Sequence, residues 1–234
     1  TELSNPFGVG SLITNEVNEG KITSSRLGYV FTHDTRLYKL GPKNGILFNL
    51  GQEFIGLGGD KTGFRTTLKA AAQKEAFKEE VKLTAVFEAG LLTYTSGNSR
   101  VMDRFFLGSQ KMRGFEPGGL GPRECLNRQC GVSNNDTLGG ENFAVVRFEA
   151  EFPLGLPEEY GFSGGIFYDI GNLWSLQKLN NDVLYEDGSW RHSIGASIFW
   201  NTPIGPLRFN FTEALKKEIH DRDESFDLTI STRF

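Results

Sequence analysis

Residue types that carry out covalent chemistry are few in this chain of 234 residues, and they are not grouped. Its three histidines are His33, His192 and His220, and none stands in the spacing of a Ser/His/Asp triad or a metal site. Glu149 and Asp169 offer two carboxyl groups for acid–base work, but nothing near them in sequence indicates a substrate. We therefore expect no enzymatic activity, no metal and no other cofactor.

The two cysteines, Cys125 and Cys130, lie five residues apart in a segment rich in Gly and Asn. On their own they make a poor metal site. We favour a short disulfide loop, with free thiols as the alternative. A disulfide predicts an oxidising compartment.

Alternation of apolar and polar residues with a period of two dominates the rest of the chain and predicts strands. The end of the chain shows it best, where one parity holds Phe226, Leu228, Ile230 and Phe234. Similar segments lie at 24–34, 44–54, 62–73, 81–91, 142–152, 161–171, 190–200, 207–212 and 225–234. We expect nine strands of about the length that crosses a bilayer at a tilt. Helix propensity offers an alternative for residues 68–82, but alternation continues through Ala72 and favours a strand.

The composition limits how such a chain can cross a membrane. Hydrophobic residues make up 38% of it, and no stretch approaches the roughly 18 consecutive apolar residues of a spanning helix. A crossing then requires a closed barrel, the other structure that satisfies every backbone group in lipid. The net charge of -4 argues against a nucleic-acid partner.

The alternation alone also fits a soluble antiparallel sandwich. Two features favour a barrel. The polar parity carries many charges, as a hydrated interior requires, and its charged members include Arg65, Lys69, Lys82, Glu88, Arg147, Glu149, Asp169 and Arg191. Connections also alternate between short ones, such as 154–160, and long ones, such as 95–140, as in transmembrane barrels.

Nine strands leave an open edge, whereas bacterial single-chain barrels have even strand counts. An open edge is not tolerated in lipid. We expect further strands upstream of Thr1, in keeping with the lack of a Met start and a signal peptide. A wall completed by another chain is the alternative.

The segment 95–140 is much longer than ordinary hairpin loops and favours a functional role. It contains Met112, Arg113, Gly114 and Phe115, followed by Gly121 and Pro122. This run resembles the sixth-loop motif of the BamA superfamily of outer-membrane proteins, with Met112 in the place of the usual Val.

Other segments match the same superfamily in the expected order. Residues 143–153 and 166–174 resemble the two strands that follow the loop, and 203–211 resembles a later segment with a Gly-Pro-Leu core. Residues 226–234 resemble the terminal strand signal, which ends in an aromatic residue, here Phe234. Together these matches cover about residues 24–234.

The resemblance implies an all-β fold: an antiparallel transmembrane barrel of 16 strands, of which residues 1–234 supply the last nine or so, without the N-terminal strands and the periplasmic POTRA domains. It implies that the loop 95–140 folds into the lumen. It also implies that Arg113 pairs there with Glu149 and Asp169 on the inner wall, and the polar parity of both carboxylates permits this. Because we expect a wet lumen, we expect a modest energy for this pair.

For function, the resemblance implies assembly and insertion of β-barrel proteins into the Gram-negative outer membrane, without a nucleotide. The terminal strand, with Phe226, Leu228, Ile230 and Phe234, would form one side of a lateral gate. The implied partners are outer-membrane lipid, unfolded client proteins, the lipoproteins of the BAM complex and periplasmic chaperones. Two alternatives stay open: a TamA-like or two-partner secretion exporter of polypeptides, and a passive porin-type channel.

Overall fold

The computed structural model describes residues 10–36, 44–77, 80–131, 135–177, 180–202 and 205–230, and their structure is nearly all β. Their one α-helix, α1, spans Ser11–Asn18, and none of the helical segments in these ranges is long and apolar enough to cross a membrane. The strands in chain order are β1 (Arg26–Asp34), β2 (Gly45–Ile55), β3 (Thr62–Ala76), β4 (Val81–Ser96), β5 (Arg123–Glu124), β6 (Asp136–Thr137), β7 (Asn142–Pro153), β8 (Phe162–Trp174), β9 (Val183–Leu184), β10 (Arg191–Thr202), β11 (Gly205–Lys216) and β12 (Phe226–Ile230).

Nine strands form one antiparallel sheet in the order β1-β2-β3-β4-β7-β8-β10-β11-β12. Neighbours in the sheet follow one another along the chain, apart from the short strands β5, β6 and β9, so the sheet is an up-and-down meander. The pairing is long and regular: β2 and β3 stay in register from Gly45 opposite Gln73 to Ile55 opposite Gly63. The prediction of nine antiparallel strands is confirmed.

The sheet has one apolar face, because successive side chains of a strand point to opposite sides. On β12 this outer face carries Phe226, Leu228 and Ile230, which are 47%, 47% and 60% exposed. The other strands add exposed large side chains at Phe48, Phe64, Leu83, Phe87, Phe148, Ile166, Ile194 and Ile198. This is the face that a barrel turns to lipid.

The hydrophobic core lies on the opposite, inner face, between the sheet and the long loop 97–141. It comprises Ile55, Leu92, Tyr94, Phe105, Leu107, Met112, Phe115, Leu120, Phe143, Val145 and Leu173. The sequence led us to expect a hydrated inner face, but the part of that face beneath the loop is covered by apolar side chains. The reason is that the loop supplies apolar side chains that cover the inward-facing apolar residues near the strand ends.

One feature of the fold confirms the expectation and two add to it. Residues 68–76 form strand, as the alternation favoured, because cross-strand pairing with β4 overrides the helix propensity of an alanine run. The helix α1 was not predicted. Nor was the small sheet of β6, β5 and β9, in which the loop pairs with the connection between β8 and β10.

Candidate functional site

The candidate site lies where the loop 97–141 meets the inner face of the sheet. A tight turn directly precedes Arg113. In this turn the backbone N–H groups of Lys111 and Met112 both donate to the carbonyl of Gly108, at 2.9 and 2.8 Å. The turn directs Met112 into the core, where it is fully buried, and delivers Arg113 to the wall formed by β7 and β8.

Arg113 holds Asp169 with a bidentate pair of hydrogen bonds, from Nε at 2.7 Å and from Nη2 at 2.6 Å. Its Nη1 donates to Glu149, and its backbone N–H donates to Asp169 at 3.1 Å. The guanidinium lies 3.6 Å from the ring centroid of Phe167. The side chain thus uses the planar fork that distinguishes Arg from Lys.

This ion pair is buried, with Arg113 5% and Asp169 0% exposed. Burial by itself lowers the pKa of the Arg113 guanidinium, but the hydrogen bonds and negative charges of Asp169 and Glu149 raise that pKa above its ordinary value. Arg113 therefore stays charged, and removing Arg113 leaves the buried Asp169 carboxylate without its charged partner, at about 3–5 kcal/mol.

The residues that flank Arg113 fit closely against the wall. Gly114 has φ +87°, and a Cβ placed on it would lie 2.6 Å from Cγ2 of Thr212 on β11. Phe115 is fully buried in the core. Gly121 also has a positive φ, +107°, with Leu173 2.5 Å from the position of a Cβ. Glycine is required at both points, where the loop turns against the sheet.

Pro122, the last residue of the motif, accepts a hydrogen bond from the backbone N–H of Leu138 at 3.0 Å and so closes the loop on itself. Beyond it, Cys125 and Cys130 form the disulfide that was predicted. Arg123 is fully buried beside this outer part of the loop, and burial lowers the pKa of its guanidinium to about 10.

Arg208 on β11 belongs to the site, although we did not predict it. It donates to Glu149, so that this carboxylate lies between Arg113 and Arg208. The signal was present in the alternation of residues 207–212, which puts Arg208 on the polar parity. Which carboxylate it meets depends on strand register and sheet curvature, and alternation does not specify either.

The loop also pairs with the chain that leads into β12. Phe115 and Asp223 form an isolated antiparallel bridge. Around it, Glu224 N–H donates to Gly114 at 3.0 Å and Arg222 N–H donates to Gly119 at 2.8 Å. The loop motif is therefore joined by backbone hydrogen bonds to the segment immediately before the terminal strand.

The residues predicted for a lateral gate lie apart from this site. Phe226, Leu228 and Ile230 face outward on β12, on the side of the sheet opposite to Arg113. Through the described residues, β12 pairs with β11 alone. Phe234 lies outside the described residues. In the same ranges, no group of three or more His, Cys, Asp or Glu is arranged to hold a metal ion.

Comparison with known proteins assigns the family. The profile of the Omp85 superfamily domain matches residues 3–234, nearly the whole chain. This chain belongs to the Omp85 superfamily. Its Omp85 fold is also found in the structure of BamA from Haemophilus ducreyi lacking POTRA domains 1-3, with a TM-score of 0.74 at 18% identity over 88% of this chain and 42% of that one.

The named relatives of this Omp85 chain include bacterial outer membrane protein assembly factors. BamA of Neorickettsia risticii is 31% identical over 82% of the chain, and BamA of Nitratidesulfovibrio vulgaris is 26% identical over 82%. The chain spans about a quarter of the length of these relatives, 25% and 23%. With these bacterial relatives, the Omp85 chain is assigned to the Gram-negative outer membrane.

Proposed function

We propose that residues 1–234 form the C-terminal part of a barrel domain that assembles other β-barrel proteins and inserts them into the outer membrane. The main observation behind the proposal is the structure of the sheet and its loop. It is a nine-stranded sheet with an apolar outer face, and the loop is fixed on its inner face by the buried pair of Arg113 and Asp169. Curated relatives named as assembly factors support the same function.

In this proposal the terminal strand acts as a template. The backbone groups on the free side of β12 would pair with the first strand of the complete 16-stranded barrel at a weak seam. When the seam opens, they would pair with an incoming client strand by β-augmentation. Because clients would arrive unfolded, we propose periplasmic chaperones and the BAM lipoproteins as partners. No nucleotide is needed, because strand pairing and burial in lipid supply the driving force.

A locked seam tests the proposal. Leu228→Cys or Ile230→Cys, joined by a bismaleimide to a cysteine on the first strand of the complete barrel, is expected to abolish client insertion. Within residues 1–234 only the introduced thiol is free to react, because Cys125 and Cys130 are already paired. Insertion is measured as the folded, heat-modifiable fraction of a client added to vesicles that contain the protein.

The matched control joins two strands inside the sheet. Ile198 and Phe209 lie opposite each other on β10 and β11, so cysteines at these positions give the same chemistry in a ladder that stays closed. This cross-link is expected to leave insertion unchanged. Normal insertion by the protein with the locked seam would refute the proposed gate.

Of the two alternatives, a passive channel needs an open lumen. Phe115, Met112 and Leu120 are fully buried between loop and wall, which favours an insertase over a passive channel. The loop motif does not separate an insertase from a polypeptide exporter of the same superfamily, and the number and type of POTRA domains upstream would distinguish these two. Single-channel conductance distinguishes the insertase from the channel. An insertase with the loop seated should conduct poorly, and a large steady conductance would favour the channel.

A further inference from the structure

A polar network on the inner face runs from the loop toward the terminal strand. It begins at Arg113 and passes through Glu149 to Arg208 on β11. From Arg208, Nε donates to Oδ1 of Asn210 at 2.7 Å. The network then crosses to β12, where Nδ2 of Asn210 donates to Oδ2 of Asp227 at 3.0 Å.

Asn210 is the junction of this network. It is 2% exposed, and its Oδ1 also accepts from Oγ of Ser197 at 2.7 Å. On β12, the hydroxyl of Thr229 donates to Asp227 at 3.0 Å. Among the described residues of β12, Asp227 and Thr229 are the two that face inward, and both belong to the network. The other three residues, Phe226, Leu228 and Ile230, face outward.

The backbone supplies a second link between the same two parts. Gly114 accepts from Glu224, and Glu116 donates to the carbonyl of Arg222 at 3.1 Å. The loop thus holds the entry to β12 through its backbone and the middle of β12 through side chains. A change in the position of the loop alters both contacts.

We infer that the loop positions the terminal strand, and that Arg208 and Asn210 are the positioning residues that transmit its state. A seated loop holds β12 against β11, and a loop that leaves the wall releases β12. By linkage, displacing β12 loosens the loop to the same extent. The positioning of β12 by the loop does not depend on the proposed function. Its consequence, that the loop controls how readily β12 exchanges partner strands, rests on that function.

An exchange of polar partners tests the Asn210 contact. In Asn210→Asp, the new carboxylate still accepts from Arg208 and Ser197 but faces Asp227 without a donor. Amide hydrogen exchange of residues 226–230, measured on the purified protein in lipid nanodiscs, is expected to become about tenfold faster, because the half-buried Asp227 carboxylate loses the Asn210 donor and meets a second negative charge. Exchange of residues 166–170 on β8 should not change.

The double variant Asn210→Asp with Asp227→Asn restores the bond with its direction reversed, because the new amide donates to the new carboxylate. It is expected to return the exchange of residues 226–230 to within about twofold of the parent protein. A general loss of stability would not be rescued in this way. The inference is overturned if Asn210→Asp leaves β12 unchanged, or if the double variant exchanges as fast as the single one.

Arg208→Met tests the link to the loop. It keeps the apolar stem but removes the guanidinium that joins Glu149 to Asn210. Exchange should rise in β12, with little change in the loop turn at 108–112, whose own hydrogen bonds remain. If β12 does not respond, the network ends at Asn210 and the coupling to the loop is refuted. Because no client is present, these outcomes are independent of the locked-seam experiment.

Discussion

Arg113 combines three kinds of contact in one side chain: a bidentate ion pair, a shared carboxylate and an aromatic ring. Such a site cannot accept Lys, whose single ammonium lacks the planar fork. The family resemblance implied partners for Arg113, and the structure brings Glu149 and Asp169 to it. Sequence reasoning did not foresee that the pair would be buried. It assumed a wet interior, whereas Arg113 and Asp169 are covered by the loop and the sheet, and of their neighbours Glu149 and Arg208 keep 17% and 26% of their side chains exposed.

A double-mutant cycle on Arg113→Ala and Asp169→Ala measures this interaction. Arg113→Ala is expected to lose about 3–5 kcal/mol of unfolding free energy, because the fully buried Asp169 carboxylate is left without its charged partner. Asp169→Ala should lose less, because Arg113 keeps its ion pair with Glu149. The double variant should lose less than the sum. Urea unfolding in lipid vesicles provides the measurement, and zero coupling would rule out the pairing.

The same loop offers a control. Oε2 of Glu116 lies 3.6 Å from Nε of Arg222, and the two side chains are 47% and 43% exposed. Glu116→Gln is expected to change the unfolding free energy by less than about 1 kcal/mol, as exposed ion pairs generally do.

At the level of elements, the strands were predictable and the helix was not. The strands alternate strictly, and alternation is the strongest local signal that a strand gives. By contrast, α1 has only eight residues and lacks a side-chain N-cap of its own. Its N-terminus is capped from elsewhere, by Glu124, which accepts from the backbone N–H of Leu12 at 3.0 Å. A helix held by distant residues leaves little trace in its own sequence.

The helix is anchored by a buried ion pair, and we expect it to depend on that pair. Glu16 accepts from Arg104 at 2.8 Å, and their side chains are 5% and 2% exposed. Glu16→Gln should destabilise the docked helix by about 3–5 kcal/mol, because Arg104 keeps a buried charge. Faster proteolysis or hydrogen exchange of residues 11–18 would report it.

Glu19, the C-cap residue that directly follows α1, gives the matched control. It pairs with Arg100 at 3.4 Å and its side chain is 40% exposed, so Glu19→Gln is expected to change protection by less than about 1 kcal/mol. Equal effects of the two variants would argue against the anchoring role of Glu16.

For the whole molecule, the alternation of apolar and polar residues along each strand predicted that the sheet has an apolar outer face and a polar or covered inner face. Curvature was not, because it depends on twist and register summed over nine strands. That sum decides which distant residues meet. The contact between Arg208 and Glu149, which lie on strands separated by β8 and β10, is the clearest example.

Adjacent residues of β3 test which face meets lipid. Leu68 shares the outer face with the exposed Phe64, and Thr67 shares the inner face with Arg65. Leu68→Lys is expected to cost about 2–4 kcal/mol near the bilayer midplane. Thr67→Lys should cost less than half as much. Unfolding in vesicles measures both, and the reverse order would invert the orientation of the sheet.

The bridge between Phe115 and Asp223 also bears on how this protein is itself made. The two residues are far apart in the chain, so their contact forms late and contributes to slow folding. The loop precedes both the wall strands β7 and β8 and the segment that leads into β12. We therefore expect the loop to settle against β7 and β8 before the last segment of the polypeptide joins it.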